Sequence, residues 1–407
     1  MKADLIPLII GILVFISSLI SLRIGISVAI IEILLGAIAG NFGLKTEEWM
    51  IYIANFGGII LTFMAGTEID TDLMKQKFKE SFLIGGFSFL IPFIGIFLFT
   101  YFILNWTLNA SLISGVALST TSLAVVYSVL VETNLTKTEI GKLLMASTFI
   151  TDMGTALALS FLFMKPSIYT LGFFIISIIV IIGATKFSHL VFDNPKLKNK
   201  VIEPEIKYVF LLILIFMFFA KLGDGHAVLP AFLLGLFMSK HFAESEKVPL
   251  DNKFQIKPLL SSFFGQKTNL VRNRLRTVSY AFVTPIFFIV GGLKISLPLI
   301  AGCFSLFLIL FLIKIVTKII GVYFLAKKYI PNGSIYSTLL MSTGLTFGTI
   351  SSVFGLNSGY INQVQYSLLV GVVIASAIIP TFIAQKWFMP VEEEDMIEDE
   401  NGFMDRK

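Results

Sequence analysis

An aspartate in the middle of an apolar run is the first feature of this sequence that needs a chemical explanation. Asp152 lies in Ser147-Thr-Phe-Ile-Thr-Asp-Met-Gly-Thr155, with Thr148 four residues before it, Thr151 next to it and Thr155 three residues after it. In a helix Thr148, Asp152 and Thr155 share one face. A carboxylate at the centre of a membrane-spanning helix costs at least about 2.5–3.5 kcal/mol on insertion scales, so it must have a partner or a task. Hydroxyls and carbonyls around one carboxylate make an oxygen cage that suits a hard monovalent cation such as Na+. The same carboxylate can hold a proton instead. A site that takes either ligand, but not both, is the minimum machinery for exchanging one for the other. The plainer use of Asp152 is structural, joining polar helix faces.

Two lysines also fall inside an apolar run, in Lys314-Ile-Val-Thr-Lys318-Ile-Ile-Gly321. They are one helical turn apart on the same face. Lys318 is nearer the middle, and its natural partner is Asp152. Removing one member of a buried pair leaves an uncompensated charge, worth roughly 3–5 kcal/mol. Lys314 is nearer the outer end and is expected to snorkel along its stem to the interface. Glu32, within Ile31-Glu-Ile-Leu-Leu-Gly36, is a second candidate for a cavity carboxylate. Glu68, within Gly66-Thr-Glu-Ile-Asp70, marks a helix end. Both are read as structural or tuning groups. The single Cys303 excludes an intramolecular disulfide and a cysteine metal site. No paired aspartates on facing helices, no His-rich cluster and no nucleophile motif argue for an enzyme, and no cofactor is expected.

The elements that must carry these groups are membrane helices. Of 407 residues 56% are apolar and 14% charged, against about 45–50% and about 25% in soluble domains. About 20 apolar residues cross the hydrocarbon, and thirteen segments qualify: 5–21, 25–41, 50–67, 81–104, 109–131, 139–164, 168–187, 206–221, 226–241, 277–293, 297–326, 334–354 and 365–388. Loop chemistry separates them, as in Gly223-Asp-Gly225 and Pro331-Asn-Gly333. The first segment lacks a small-residue cleavage site and is read as a span, not a signal peptide. With the N-terminus outside, 21 Lys and Arg residues fall in cytoplasmic loops and five outside, as the positive-inside rule asks. The net charge of +5 is then a topology signal, and no nucleic-acid partner is needed. The C-terminus lies in the cytoplasm, with residues 391–407 an acidic tail expected to stay disordered.

A repeat is visible within the spans. The fifth reads Gly115-Val-Ala-Leu-Ser-Thr-Thr-Ser-Leu-Ala124 and the twelfth Leu340-Met-Ser-Thr-Gly-Leu-Thr-Phe-Gly-Thr349. The second and ninth share Ile33-Leu-Leu-Gly36 and Leu233-Leu-Gly235. Both pairs are seven spans apart, an odd offset, so partners run in opposite directions. This is an inverted-topology repeat, in which the substrate site lies near the midplane between two interrupted helices, whose freed backbone groups face a cavity or ions.

These segments resemble the monovalent cation:proton antiporter superfamily in its Kef- and NapA-like branch. Four stretches carry the resemblance: Glu32 to Gly36 with Leu61 to Asp70; Thr151-Asp152, where members carry Asp-Asp, Asn-Asp or Gln-Asp; Gly225 with Ala231-Phe-Leu-Leu-Gly235; and Pro285 to Leu293 with Lys318-Ile-Ile-Gly321. The likeness covers residues 5–388 and implies a sodium/proton exchanger-type domain over 1–390 with an NhaA/NapA-like fold. It implies a homodimer in the cell membrane, a panel of spans 1–3 and 8–10, and a core of spans 4–6 and 11–13 that moves as an elevator. The family's ion and proton residue falls on Asp152 and its membrane lysine on Lys318. The crossed, unwound helices are spans 5 and 12, making Thr120, Thr121 and Thr148 oxygen donors to Na+ (or Li+) beside Asp152 and Thr151, with Ser119 and Thr343 as secondary candidates. Thr151 stands where electrogenic members have a second carboxylate, which favours a one-for-one cycle. K+/H+ exchange on the same fold is the nearest alternative. A cation channel would want a filter loop, which is not found, and a Na+-coupled symporter a larger polar cavity.

Overall fold

The structure is a computed structural model and describes residues 5–24, 27–67, 77–133, 135, 138–163, 167–192, 201–223, 227–244 and 270–390. Within them the regular elements are all helical. In chain order they are α1 (Leu5–Ile24), α2 (Val28–Asn41), α3 (Glu48–Thr67), α4 (Phe78–Leu98), α5 (Leu108–Ser119), α6 (Leu123–Glu132), α7 (Glu139–Leu162), α8 (Ile168–Phe192), α9 (Pro204–Leu222) and α10 (Val228–Glu244). Then follow α11 (Leu270–Val278), α12 (Thr284–Leu293), α13 (Leu297–Gly302), α14 (Phe304–Tyr329), α15 (Ser334–Met341), α16 (Thr346–Asn357) and α17 (Gln363–Trp387). A π-turn, Phe99–Ile103, prolongs α4, and another, Ser279–Val283, joins α11 to α12.

Every expected segment falls on one helix or on two in succession. Among the described residues nine helices or helix pairs are long and apolar enough to cross a membrane. Three more, Val28–Asn41, Leu108–Ser119 and Val228–Ser239, are apolar but shorter. The helix α9 carries Glu205, Lys207 and Lys221. The expected count of thirteen is thus not fixed by length and hydropathy alone. The acidic tail and Glu68 lie outside the described residues.

Both helices expected to be interrupted are interrupted. The first stops at Ser119, Thr120 is extended (φ −65°, ψ 153°), and winding resumes at Leu123. The second stops at Met341 and resumes at Thr346 after Leu345 (φ −140°, ψ −71°). The cause is local. Ser119 Oγ donates to the Val116 carbonyl at 3.0 Å and Thr120 Oγ1 to that of Ala117 at 3.1 Å. Ser342 Oγ donates to Thr338 at 2.8 Å and Thr343 Oγ1 to Leu340 at 2.7 Å. Such side-chain bonds compete with the backbone ladder and favour helix ends.

The inverted repeat is most direct in two helix contacts. The helix α2 packs on α12, and α3 on α10. A Cβ at Gly36 would strike the Ile289 carbonyl oxygen, and one at Gly292 that of Ile33. A Cβ at Gly66 would strike the Phe232 carbonyl oxygen, and one at Gly235 that of Phe63. In all four the target carbonyl belongs to the residue three before the opposing glycine, so one contact is built twice. Lipid offers apolar side chains no reason to associate with each other, and small residues that let backbones meet are the alternative. These helices form the glycine seam. Around the breaks a second group gathers: α4 packs on α5, α7 and α14, α16 on α5 and α17, and α15 on α14 and α17.

Candidate functional site: the crossing of two broken helices

The breaks touch. Thr121 Oγ1, in the first, donates to the Met341 carbonyl, at the lip of the second, at 2.8 Å. A Cβ at Gly344 would lie 2.9 Å from Thr120 Oγ1 and 3.2 Å from the Thr120 carbonyl oxygen, so glycine is what lets the two unwound segments meet. The helix α7 passes beside them, and its Thr148 Oγ1 contacts Met341 Sδ at 3.4 Å. One turn further along lies Asp152, 2% exposed. Thr151 Oγ1 donates to the Thr148 carbonyl at 2.5 Å and Thr155 Oγ1 to that of Thr151 at 2.9 Å.

The crossing thus collects Thr120, Thr121, Thr148, Ser119 and Thr343 with the Asp152 helix, and all of these are buried. Their hydroxyls have a shared character. Those of Ser119, Thr120, Thr343 and Thr151 each spend the proton on a carbonyl of their own helix. A hydroxyl so committed presents lone pairs only, which suits a cation. Among the described residues no three His, Cys, Asp or Glu side chains converge, so hydroxyls, carbonyls and one carboxylate are the donors on offer.

Lys318 enters from α14. Its Nζ donates to Ser88 Oγ and to Thr121 Oγ1, both at 2.9 Å, and it feels the charges of Asp152 and Lys314. These two hydrogen bonds go to hydroxyls and not to Asp152, the partner expected from the sequence. Lys314 corrects the expectation of snorkelling. It is fully buried, its Nζ has no hydrogen-bond partner among the described residues, and a Cβ at Gly344 would lie 2.5 Å from it. The expected run 297–326 is broken at Cys303, which places Lys314 ten residues into α14. At 1.5 Å per residue that is about 15 Å, half the hydrocarbon thickness, beyond the reach of the interface.

Glu32 does not join the crossing. It is buried in α2, which packs chiefly on α1 and α12 at the glycine seam. Sequence reasoning missed Ser88, a lone serine in an apolar stretch. It also missed Phe232, whose ring stacks on Phe149 at 5.5 Å and meets Phe347 edge-on at 6.3 Å. Phe232 thereby joins the seam to the crossing.

The family of transmembrane sodium/hydrogen exchangers matches residues 10–389. The chain belongs to that family. Its relatives include "Probable Na(+)/H(+) antiporter 3" of Methanocaldococcus jannaschii, 27% identical over 372 residues that cover 86% of this chain and 89% of that protein. The Na(+)/H(+) antiporter of Enterococcus hirae is 26% identical over 392 residues, 90% of this chain and 93% of that one. Among solved structures, the sodium proton antiporter MjNhaP1 of Methanocaldococcus jannaschii superposes with a TM-score of 0.66 over 95% of this chain and all of its own, at 14% identity. That likeness establishes the exchanger fold. Together with the apolar helices it makes this chain a multi-pass membrane protein of a transporter family.

Proposed function

We propose that the protein exchanges Na+ or Li+ for protons across the cell membrane and that Asp152 is the shared ion and proton site. The observation that carries this reading is the one carboxylate buried, among the described residues, in the group around the crossing, one turn from a cluster of hydroxyls that offer lone pairs. Cation and proton compete for that carboxylate, and competition for one carrier site is antiport. The names of the two relatives support sodium as the cation.

The two packing groups support an elevator-type movement. We take α1 to α3 and α9 to α12 as a fixed panel and α4 to α7 with α13 to α17 as a core that carries the site across it, in a homodimer with the N-terminus outside. Thr151 beside Asp152 leaves one exchanging carboxylate, so one Na+ replaces one proton and no net charge moves.

Purified protein in liposomes with an internal pH dye tests the reading. Added Na+ or Li+ should collapse a pH gradient, K+ should do so weakly, and the null point should not move when valinomycin and K+ set a membrane potential. No response to any of the three cations would end the antiport reading. A null point that follows the potential would end the one-for-one cycle alone.

A further inference from the structure

The Lys318 ammonium has three N–H donors, and two of them are committed, to Ser88 on α4 and to Thr121 at the first break. Both hydroxyls are fully buried. Thr121 is in turn fixed, because its own proton goes to the Met341 carbonyl across the crossing. One hydroxyl therefore ties together the first break, the second break and the ammonium. Ser88 is held as firmly. Its helix α4 meets α14 so closely that a Cβ at Gly321, three residues after Lys318, would come within 2.6 Å of the Phe87 carbonyl oxygen.

A lysine ammonium is a compact cation on a flexible four-carbon stem. Inside a protein it is the strongest rival to a transported cation for a nearby carboxylate, since the attraction between opposite charges grows as the dielectric falls. Lys314, one turn away and buried, repels it further in the same confined space. A lysine left loose here would turn its donors onto Asp152 and occupy the oxygens that a cation needs.

We propose that Ser88 and Thr121 form a seat that positions Lys318, so that its donors are held on these two hydroxyls and its charge acts on Asp152 from a fixed place. This rests on the reading of Asp152 as the cation site. It assigns Thr121 to positioning, not to ligation, and gives Ser88 a part that its sequence context does not suggest.

The seat acts only through Lys318, and that makes it separable from a structural role. In liposomes, Ser88→Ala and Thr121→Val should each raise the half-saturating Na+ concentration about two- to ten-fold, the range set by one lost hydrogen bond, with little change in maximal rate. Thr121→Ser should restore most of the loss seen in Thr121→Val. In a Lys318→Gln background, Ser88→Ala should add nothing, as a double-mutant cycle reads it. The same comparison can be made without transport, from the Na+ concentration at the midpoint of thermal stabilisation of the purified protein, so an inactive Lys318→Gln still reports. An effect of Ser88→Ala that persists without Lys318, or a Thr121→Val effect that Ser88→Ala does not share, overturns the seat. An inert wild type sinks the antiport reading and the seat with it, whereas a responsive wild type with an unaffected Ser88→Ala sinks only the seat.

Discussion

The glycine seam and the crossing solve the same problem in opposite ways. Both bring helices together in the buried interior. The seam does so by removing side chains, so that Gly36 meets Gly292 and Gly66 meets Gly235 backbone to backbone. The crossing does so by adding polar groups that bond back to their own helices and across the breaks. The seam is built twice with the same offsets. The crossing is doubled in its backbone breaks but single in its charges, since Asp152 lies on α7, Lys314 and Lys318 lie on α14, and the α4 residue facing Lys318 is a serine. Packing can be copied by a repeat. On the proposed reading a carrier site needs only one carboxylate, and a second buried charge would have to be compensated.

The comparison breaks first at its strongest points. Asp152→Asn should fold, because it removes a charge and keeps the shape. It should lower exchange by about 100-fold or more, the order of leaving a buried charge uncompensated, as read by dye dequenching in liposomes beside a normal gel-filtration profile. Gly235→Leu should do the reverse. Its side chain meets the α3 backbone at Phe63, and overpacking of this kind typically costs about 1–3 kcal/mol, occasionally more. Loss of the monodisperse peak and a lower melting temperature are expected, with Gly235→Ala intermediate. If Gly235→Leu left the melting temperature unchanged, the seam would not be the rigid partner assigned to it here.

A finer test lies within the crossing. Thr120→Val and Thr343→Val remove an oxygen while nearly keeping volume. Each should raise half-saturating Na+ several-fold, by about the worth of one hydrogen-bond-sized contact. Unchanged half-saturation in both would move the cation away from the breaks. The smallest effect expected is at the rim, where Lys294 Nζ donates to Asn357 Oδ1 at 2.6 Å and Gln363 Nε2 donates to the Lys294 carbonyl. Burial holds the Lys294 ammonium below its ordinary value. Between that lowered value and about 10.4 the unfolded chain binds more protons than the folded one, so stability rises with pH across that window. Lys294→Gln should flatten this slope when melting temperature is followed from neutral pH into the alkaline range. A slope that survives the substitution would belong to another group.

Much of this was legible in the sequence, for reasons that can be named. Asp152 stands out because a carboxylate in an apolar run has few uses. The breaks at Thr120 and Thr343 show as Ser-Thr pairs in otherwise apolar spans. Gly36 and Gly235 show as an echo seven spans apart. What stayed hidden depends on contacts between distant segments. Ser88 gains its part from a residue 230 positions later, and Phe232 from two helices that flank it in space alone. The depth of Lys314 does not show in its place in a long apolar run. The break at Cys303 resets where the helix begins.

The π-turn at Ser279–Val283 gives the chain a setting that no side chain records. A π-turn adds one residue to a helix without ending it, and each residue advances a helix by about 100°. The arginines of α11 and the glycines of α12 therefore keep separate phases, as two cams do on one shaft. Deleting a single residue there would leave every contact residue in place in the sequence. It would turn Gly292 about a quarter of a revolution away from α2. At this joint, chain length itself is information, and a one-residue deletion is a larger change than almost any substitution beside it.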